Sequence, residues 1–198
     1  MYNPPKQTRS KQRIQKILET AEEILINVGI DNISIAYISE LSGLKRTSTY
    51  KFFPTPKSLT SEMSKIYITQ CTNDFKSKSK NINTDNLSVI VLRCVESLYE
   101  YFTQNFAAQK LILSNEFNSS IEKEKFNELS LAIQSFIDIN ISLPEMFNKD
   151  GVYRVFTQII LSILSLNFKE NGSIDEVGKI EAHRAGHAYL MSWVNQQS

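Results

Sequence analysis

Apolar residues recur at intervals of three and four through most of this chain, the spacing of helices that each bury one face. Ile14, Ile17, Leu18, Ala21, Ile24, Leu25 and Val28 form the clearest stripe, ended by Gly29. Ile35, Ile38 and Leu41 make a shorter one, with Ser34 placed to cap free N–H groups and Gly43 to break the helix in a left-handed turn. A polar segment follows, stopped by Pro54, and Thr55-Pro56 reads as an N-cap with proline at the first helical position. The next helix runs from Pro56 to about residue 80, with Leu59, Met63, Ile66, Tyr67, Gln70 and Phe75 on its inner face, and the polar stretch 76–86 marks a loop. Beyond it the pattern predicts helices over Leu87–Phe102, residues 106–117, Ile121 to about Ile141, Val152–Phe168, and Ser173 or Asp175 to about Val194. The segment 152–168 is apolar nearly all round and is expected to be buried on most sides. The fold class is all-α.

The second and third short helices change the picture. An apolar helix, a glycine turn and then KRTSTYKFF, dense in cations, hydroxyls and aromatics, is the layout of a helix-turn-helix whose second helix enters the DNA major groove. Thr49 and Phe53, four apart, should face inward with Leu44, which points Arg46, Thr47, Tyr50 and Lys51 outward. Arginine and lysine reach guanine O6 and N7, threonine meets a thymine methyl or a phosphate, and tyrosine hydroxyl meets phosphate. Charge agrees with this placement. The net charge is only +1, but residues 1–80 carry thirteen Lys and Arg against seven Asp and Glu, and the remainder is acidic. A basic segment alone would more often be a solvated face; here it coincides with the motif.

GLKRTSTYKFF followed by P-x-x-x-x-L resembles the signature of the TetR family of bacterial transcriptional repressors. Gly43, Leu44, Ser48, Tyr50 and Phe53 match it, while Lys45 replaces the usual capping serine and Thr49 the usual large apolar residue. The resemblance covers Arg13 to Leu59 closely and is architectural beyond. It implies an N-terminal three-helix DNA-binding domain, residues 1–55 with a flexible arm over 1–9, and a helical regulatory and dimerisation domain, residues 56–198. It also implies operator contacts from Ser34, Arg46, Thr47, Ser48, Tyr50, Lys51 and Lys57. The family favours a lysine at the start of the fourth helix; here Pro56 stands there and Lys57 follows.

The resemblance further implies a homodimer built on the final two helices and a ligand cavity among the middle ones. Gly178, Ala182 and Gly186 stand four apart, a row that permits close backbone approach; with Leu190, and with Ile160 and Leu164 on the preceding helix, they are assigned to the dimer interface. The same row would serve equally for packing inside one chain. Tyr67, Cys71, Phe102, Asn115, Phe117, Phe136 and Gln158 are assigned to the cavity, although aromatic residues at helical spacing commonly just fill a core. The expected partners are double-stranded operator DNA, a small apolar or amphipathic effector and a second copy of the chain.

Other chemistry is poorly supported. His183 and His187 lie four apart and Glu181 is close, but no Cys, Asp or Glu completes a plausible metal site, so neither metal nor cofactor is expected. There is no glycine-rich phosphate loop and no G-x-S-x-G, and nothing argues for an enzyme. Two cysteines without ligand spacing, no apolar run near the length of a membrane span and no signal-peptide core point to a cytoplasmic protein. Two other readings stay open: a helical carrier of apolar ligands that does not bind DNA, and an architectural DNA-binding dimer without an effector.

Overall fold

The computed structural model describes residues 6–114 and 120–194, and the chain divides into two compact units, Met1–Ser64 and Lys65–Ser198. The division falls inside α4. No strand occurs among the described residues.

In the first unit α1 spans Lys6–Asn27, a short 3-10 turn covers Ile30–Asn32, and α2 (Ile35–Ser42), α3 (Arg46–Phe52) and the start of α4 (Pro56–Lys78) follow. Residues 6–9, expected in a flexible arm, are the opening turn of α1; residues 1–5 lie outside the described residues. Ile17, Ala21, Ile24 and Leu25 of α1 are buried, as are Ile35 and Ile38 of α2, and α1 packs on α2 and α2 on α3. Two residues of the expected stripes are not in the core. Val28 is 50% exposed because α1 has already ended at Asn27. Leu41 is 53% exposed because the buried face of α2 runs through Ser39 and Ser42 instead. Those two hydroxyls donate to the Ile35 and Ser39 carbonyl oxygens, so their burial strands no polar group.

The second unit holds the rest of α4, α5 (Leu87–Gln104), α6 (Phe106–Ala108) running into a π-helical turn (Gln109–Leu113), α7 (Ser120–Asn140), α8 (Lys149–Asn171) and α9 (Glu176–Val194). α8 packs on both α7 and α9, and α5 packs on α9. Tyr153, Phe156, Ile160 and Leu164 of α8, Ile90, Val91, Cys94 and Leu98 of α5, and Ile133 and Ile137 of α7 are all almost fully buried and make up the core of this unit. Phe75 of α4 and Phe136 of α7 meet edge to face, with ring centroids 5.8 Å apart.

α8 is longer than the apolar run that predicts it. Asn148 caps it by accepting from the Gly151 N–H at 3.1 Å, and Gly172 ends it at φ 74°. It is also less enclosed than expected, since Val155 is 46% and Leu166 56% exposed. By length and mean hydropathy, 1.3, Lys149–Asn171 could cross a membrane, but half of that apolar window is buried inside the helical unit.

α9 requires a correction. Gly178, Ala182, Gly186 and Leu190 are buried within this chain, and so are Ile160 and Leu164. A Cβ on Gly186 would meet Phe156 of α8 at 3.0 Å and Val91 of α5 at 3.5 Å, and one on Gly178 would collide with the Asn167 side chain. The small-residue row therefore lets α9 lie close against α8 and α5, and these six residues are not available to a second copy. The α8–α9 corner is locked reciprocally: Asn167 Nδ2 donates to Asp175 Oδ1 at 2.9 Å, while the Asp175 N–H donates to Asn167 Oδ1 at 2.8 Å. Asp175 Oδ1 also accepts from the Val177 and Gly178 N–H groups that open α9.

Candidate functional site

The surface of the α2–α3 pair is built by caps and a turn. Ser34, with extended backbone, accepts the Tyr37 N–H at 3.2 Å and fixes the start of α2. Gly43 ends α2 at φ 65°, ψ 16°, a left-handed conformation that any Cβ would strain even though open space surrounds it. α3 then begins directly at Arg46, with Lys45 at the capping position and no side-chain cap. Thr49 faces inward, fully buried, and its hydroxyl is satisfied by the Lys45 carbonyl oxygen at 3.4 Å; Phe53 is buried beside it. That inward pair, with Leu44 half-buried, leaves Lys45, Arg46, Thr47, Tyr50 and Lys51 exposed and Ser48 half-buried.

Lys57 is exposed on the first turn of α4, which Thr55 and Ser58 cap reciprocally: the Ser58 N–H donates to Thr55 Oγ1 at 3.1 Å and the Thr55 N–H to Ser58 Oγ at 3.2 Å. None of Lys45, Arg46, Lys51 and Lys57 makes an ion pair among the described residues, so four cations on this unit are uncompensated. Two further exposed side chains belong to this surface: Lys45, which the sequence marks only as a departure from the usual capping serine, and Tyr37, on the first turn of α2.

The residues assigned to a ligand cavity do not share one. Tyr67, Cys71 and Phe102 border a small apolar void of about 10 Å³, no more than one water needs, with Ile112, Phe126 and Leu161 among its other lining residues. Burial pushes the Cys71 thiol far above its ordinary range, with the Asp74 charge adding to the effect, so it is held as a neutral thiol. Phe136 instead borders a separate groove of about 360 Å³ beside Phe75, Lys78 and Glu100. Gln158 lines a third, open groove of about 550 Å³ between α7, α8 and α9. Asn115 and Phe117 lie outside the described residues.

His183 and His187 stack with ring centroids 6.1 Å apart. His183 Nε2 lies 2.9 Å from the Ser88 carbonyl oxygen and 3.2 Å from Ser88 Oγ, contacts that hold the ring against the start of α5. No cluster of three metal-ligating side chains occurs among the described residues.

No protein-family model matches the chain, nor does any curated protein. Solved structures do. A TetR-family transcriptional regulator from Streptomyces coelicolor superposes with a TM-score of 0.70 at 15% identity, over 91% of this chain and 99% of that one. SmeT, the repressor of the Stenotrophomonas maltophilia multidrug efflux pump SmeDEF, superposes at 0.63 with 14% identity, over 92% of this chain and 90% of its own. The complex of SmeT with triclosan superposes at 0.61 with 15% identity, over 93% and 92%. At such identities the agreement is one of backbone, and it extends through both units. This chain has the fold of the TetR-family transcriptional regulators.

Proposed function

We propose that this protein is a dimeric, sequence-specific DNA-binding regulator that represses transcription from its operator until a small molecule releases it. The observation that carries this reading is the exposed, uncompensated row Arg46, Thr47, Tyr50 and Lys51 on α3, held by the Gly43 turn and the Ser34 cap. Arg46, Thr47 and Lys51 read bases; Ser34, Ser48, Tyr50 and Lys57 position the phosphate backbone. One such helix spans too few base pairs for a unique site, and a two-fold dimer reads two half-sites.

The dimer uses the outward face of the last two helices rather than the small-residue row. Val155, Ile159 and Leu166 fall on one line of α8, and Val177 and Ile180, 63% and 50% exposed, stand on α9. Apolar surface of this kind on two adjacent helices is what a second copy would cover.

The test is binding of the purified protein to DNA upstream of its own gene, titrated across salt with unrelated DNA as competitor. Tight binding that survives competitor and falls steeply as salt rises is expected. Lys51→Ala weakens it, and Arg46→Ala also relaxes the preference at one base pair by roughly 1–3 kcal/mol. Equal, weak binding to every DNA would refute the reading. A DNA-binding dimer with no effector is the second reading, favoured by the nearly filled central void. It predicts operator binding that no small molecule reverses.

A further inference from the structure

The groove of about 360 Å³ beside Phe136 has the size of a small-molecule site and lies where the end of α4, the loop after it, α5 and α7 meet. None of the described residues of α8 or α9 lines it. Buried Phe75 and Phe136, with half-buried Ile82, form an apolar floor, and the loop that carries Ile82 is tied to α7 because the Ile82 N–H donates to Asn140 Oδ1 at 2.8 Å. Arg93, Glu96, Ser97 and Glu100 follow the i, i+3, i+4, i+7 spacing of one helix face and make the α5 wall. The rim is ion-paired: Lys78 Nζ lies 2.8 Å from Asp74 Oδ2 and 3.2 Å from Glu100 Oε2, and Arg93 Nη1 lies 3.1 Å from Glu96 Oε2. These pairs join three carboxylates to two cations, so the rim is left negative. A carboxylate has about four acceptor sites. Glu96 and Glu100 are each bonded to one cation among the described residues, so both keep acceptor sites unused. Ser97 Oγ, shut off from solvent on the same wall, has no hydrogen-bond partner among the described residues. An unmet hydroxyl of this kind destabilises the fold until a ligand group reaches it.

We propose that this groove binds a primary ammonium ion carrying an apolar body, the head donating to Glu96, Glu100 and Ser97 Oγ and the body lying over Phe75, Phe136 and Ile82. The three acceptors stand on one wall, and a primary ammonium has three N–H donors to match them. An anion would meet the surplus negative charge, since Lys78 and Arg93 are already engaged with carboxylates. A neutral alcohol reaches Ser97 but leaves that charge uncompensated, and a quaternary ammonium balances the charge but donates nothing to the hydroxyl. The groove shares none of its described lining residues with the void bordered by Tyr67, Cys71 and Phe102. Only the regulatory meaning of this binding rests on the proposed function; the binding itself does not.

The experiment is calorimetric titration of the full chain with 4-phenylbutylamine, an ammonium at neutral pH. 4-Phenylbutan-1-ol, 4-phenylbutyrate and trimethyl(4-phenylbutyl)ammonium serve as head-group controls. Saturable binding of the amine, at least about 10-fold tighter than any control, is expected. Ser97→Ala removes the unmet hydroxyl, so it should raise the melting temperature of the free protein, weaken the amine about 10-fold and leave the quaternary ion unaffected. Glu96→Gln combined with Glu100→Gln removes the preference for the amine over the alcohol. Arg93→Gln takes a competing cation from Glu96 and tightens the amine by about two- to fivefold. Circular dichroism melts show which variants fold. Equal binding of amine and alcohol overturns the proposal, as does an unchanged preference in the folded double variant. So does a Ser97→Ala variant that leaves the amine unchanged or weakens amine and quaternary ion alike, and this comparison decides alone if the double variant does not fold. Loss of amine binding in folded Arg93→Gln overturns it too. Ammonium binding that depends on these residues but leaves operator affinity unchanged upholds the site and sinks its role as an effector site. Absence of DNA binding, with ammonium binding intact, refutes only the regulator reading.

Discussion

Asn167 and Asp175 show how a few atoms set the geometry of a helix pair. Gly178 sits where any side chain would strike Asn167, and Asn167 cannot swing away without losing both of its bonds to Asp175. Gly178→Ala should therefore cost about 1–3 kcal/mol, although alanine is the better helix former by roughly 1 kcal/mol. In an Asn167→Ala background the collision is gone, so the same substitution should become neutral or stabilising; denaturant melts of the four-member cycle check the reversal of sign.

The Asp175 carboxyl is held below its ordinary range by the Gly178 N–H, by Asn167 Nδ2 and by the Val177 N–H. A lowered folded-state pKa adds stability that is complete above the unfolded value, about 3.9, and fades as pH falls through the folded one. The thermal-stability gap between wild type and Asp175→Asn should accordingly be widest near neutrality and narrow below about pH 4. A gap that stayed constant down to pH 3 would assign the lock to shape rather than charge.

Among the elements, the α2–α3 pair depends most on a single backbone conformation. A Cβ at Gly43 meets nothing, so Gly43→Ala tests backbone strain alone. It should lower stability by about 1–2 kcal/mol, and operator affinity should fall by more than the unfolded fraction explains, because the turn aims α3. Circular dichroism melts alongside DNA titrations separate the two effects. Ser34 and the Thr55–Ser58 pair fix the other helix starts by satisfying N–H groups that a helix leaves free.

At the scale of the whole molecule, the dimer proposal rests on apolar side chains that the last two helices leave exposed. Leu166 of α8 and Ile180 of α9 are two of them, at 56% and 50% exposure. Leu166→Glu combined with Ile180→Glu should leave helicity unchanged, convert the dimer to monomer in sedimentation, and abolish tight operator binding while weak, salt-sensitive DNA association persists. A double variant that stays dimeric would move the interface elsewhere.

The order of the helices, the αL glycine, the caps at Ser34 and Thr55 and the exposed row on α3 were legible in the chain, because each follows from local rules of spacing, capping and backbone geometry, whereas the polar opening turns of α1 and α8 carry no apolar stripe to mark them. The stripes of α1 and α5 and the caps at Ser34 and Thr55 are of this kind. Partnership between helices is not local. A row of small residues invites any helix to approach closely, and only packing showed that α8 and α5 of the same chain fill the space beside Gly178, Ala182 and Gly186. Likewise, spacing marks Tyr67, Cys71, Phe102, Phe136 and Gln158 as inward or outward but cannot tell which empty volume each one borders; three-dimensional packing dispersed them over three. The sequence by itself determined the helices and the motif that one pair of them forms. Tertiary structure alone decided which faces are spent inside the chain and which are left for a partner or a ligand, since burial depends on residues far apart in sequence competing for the same contact.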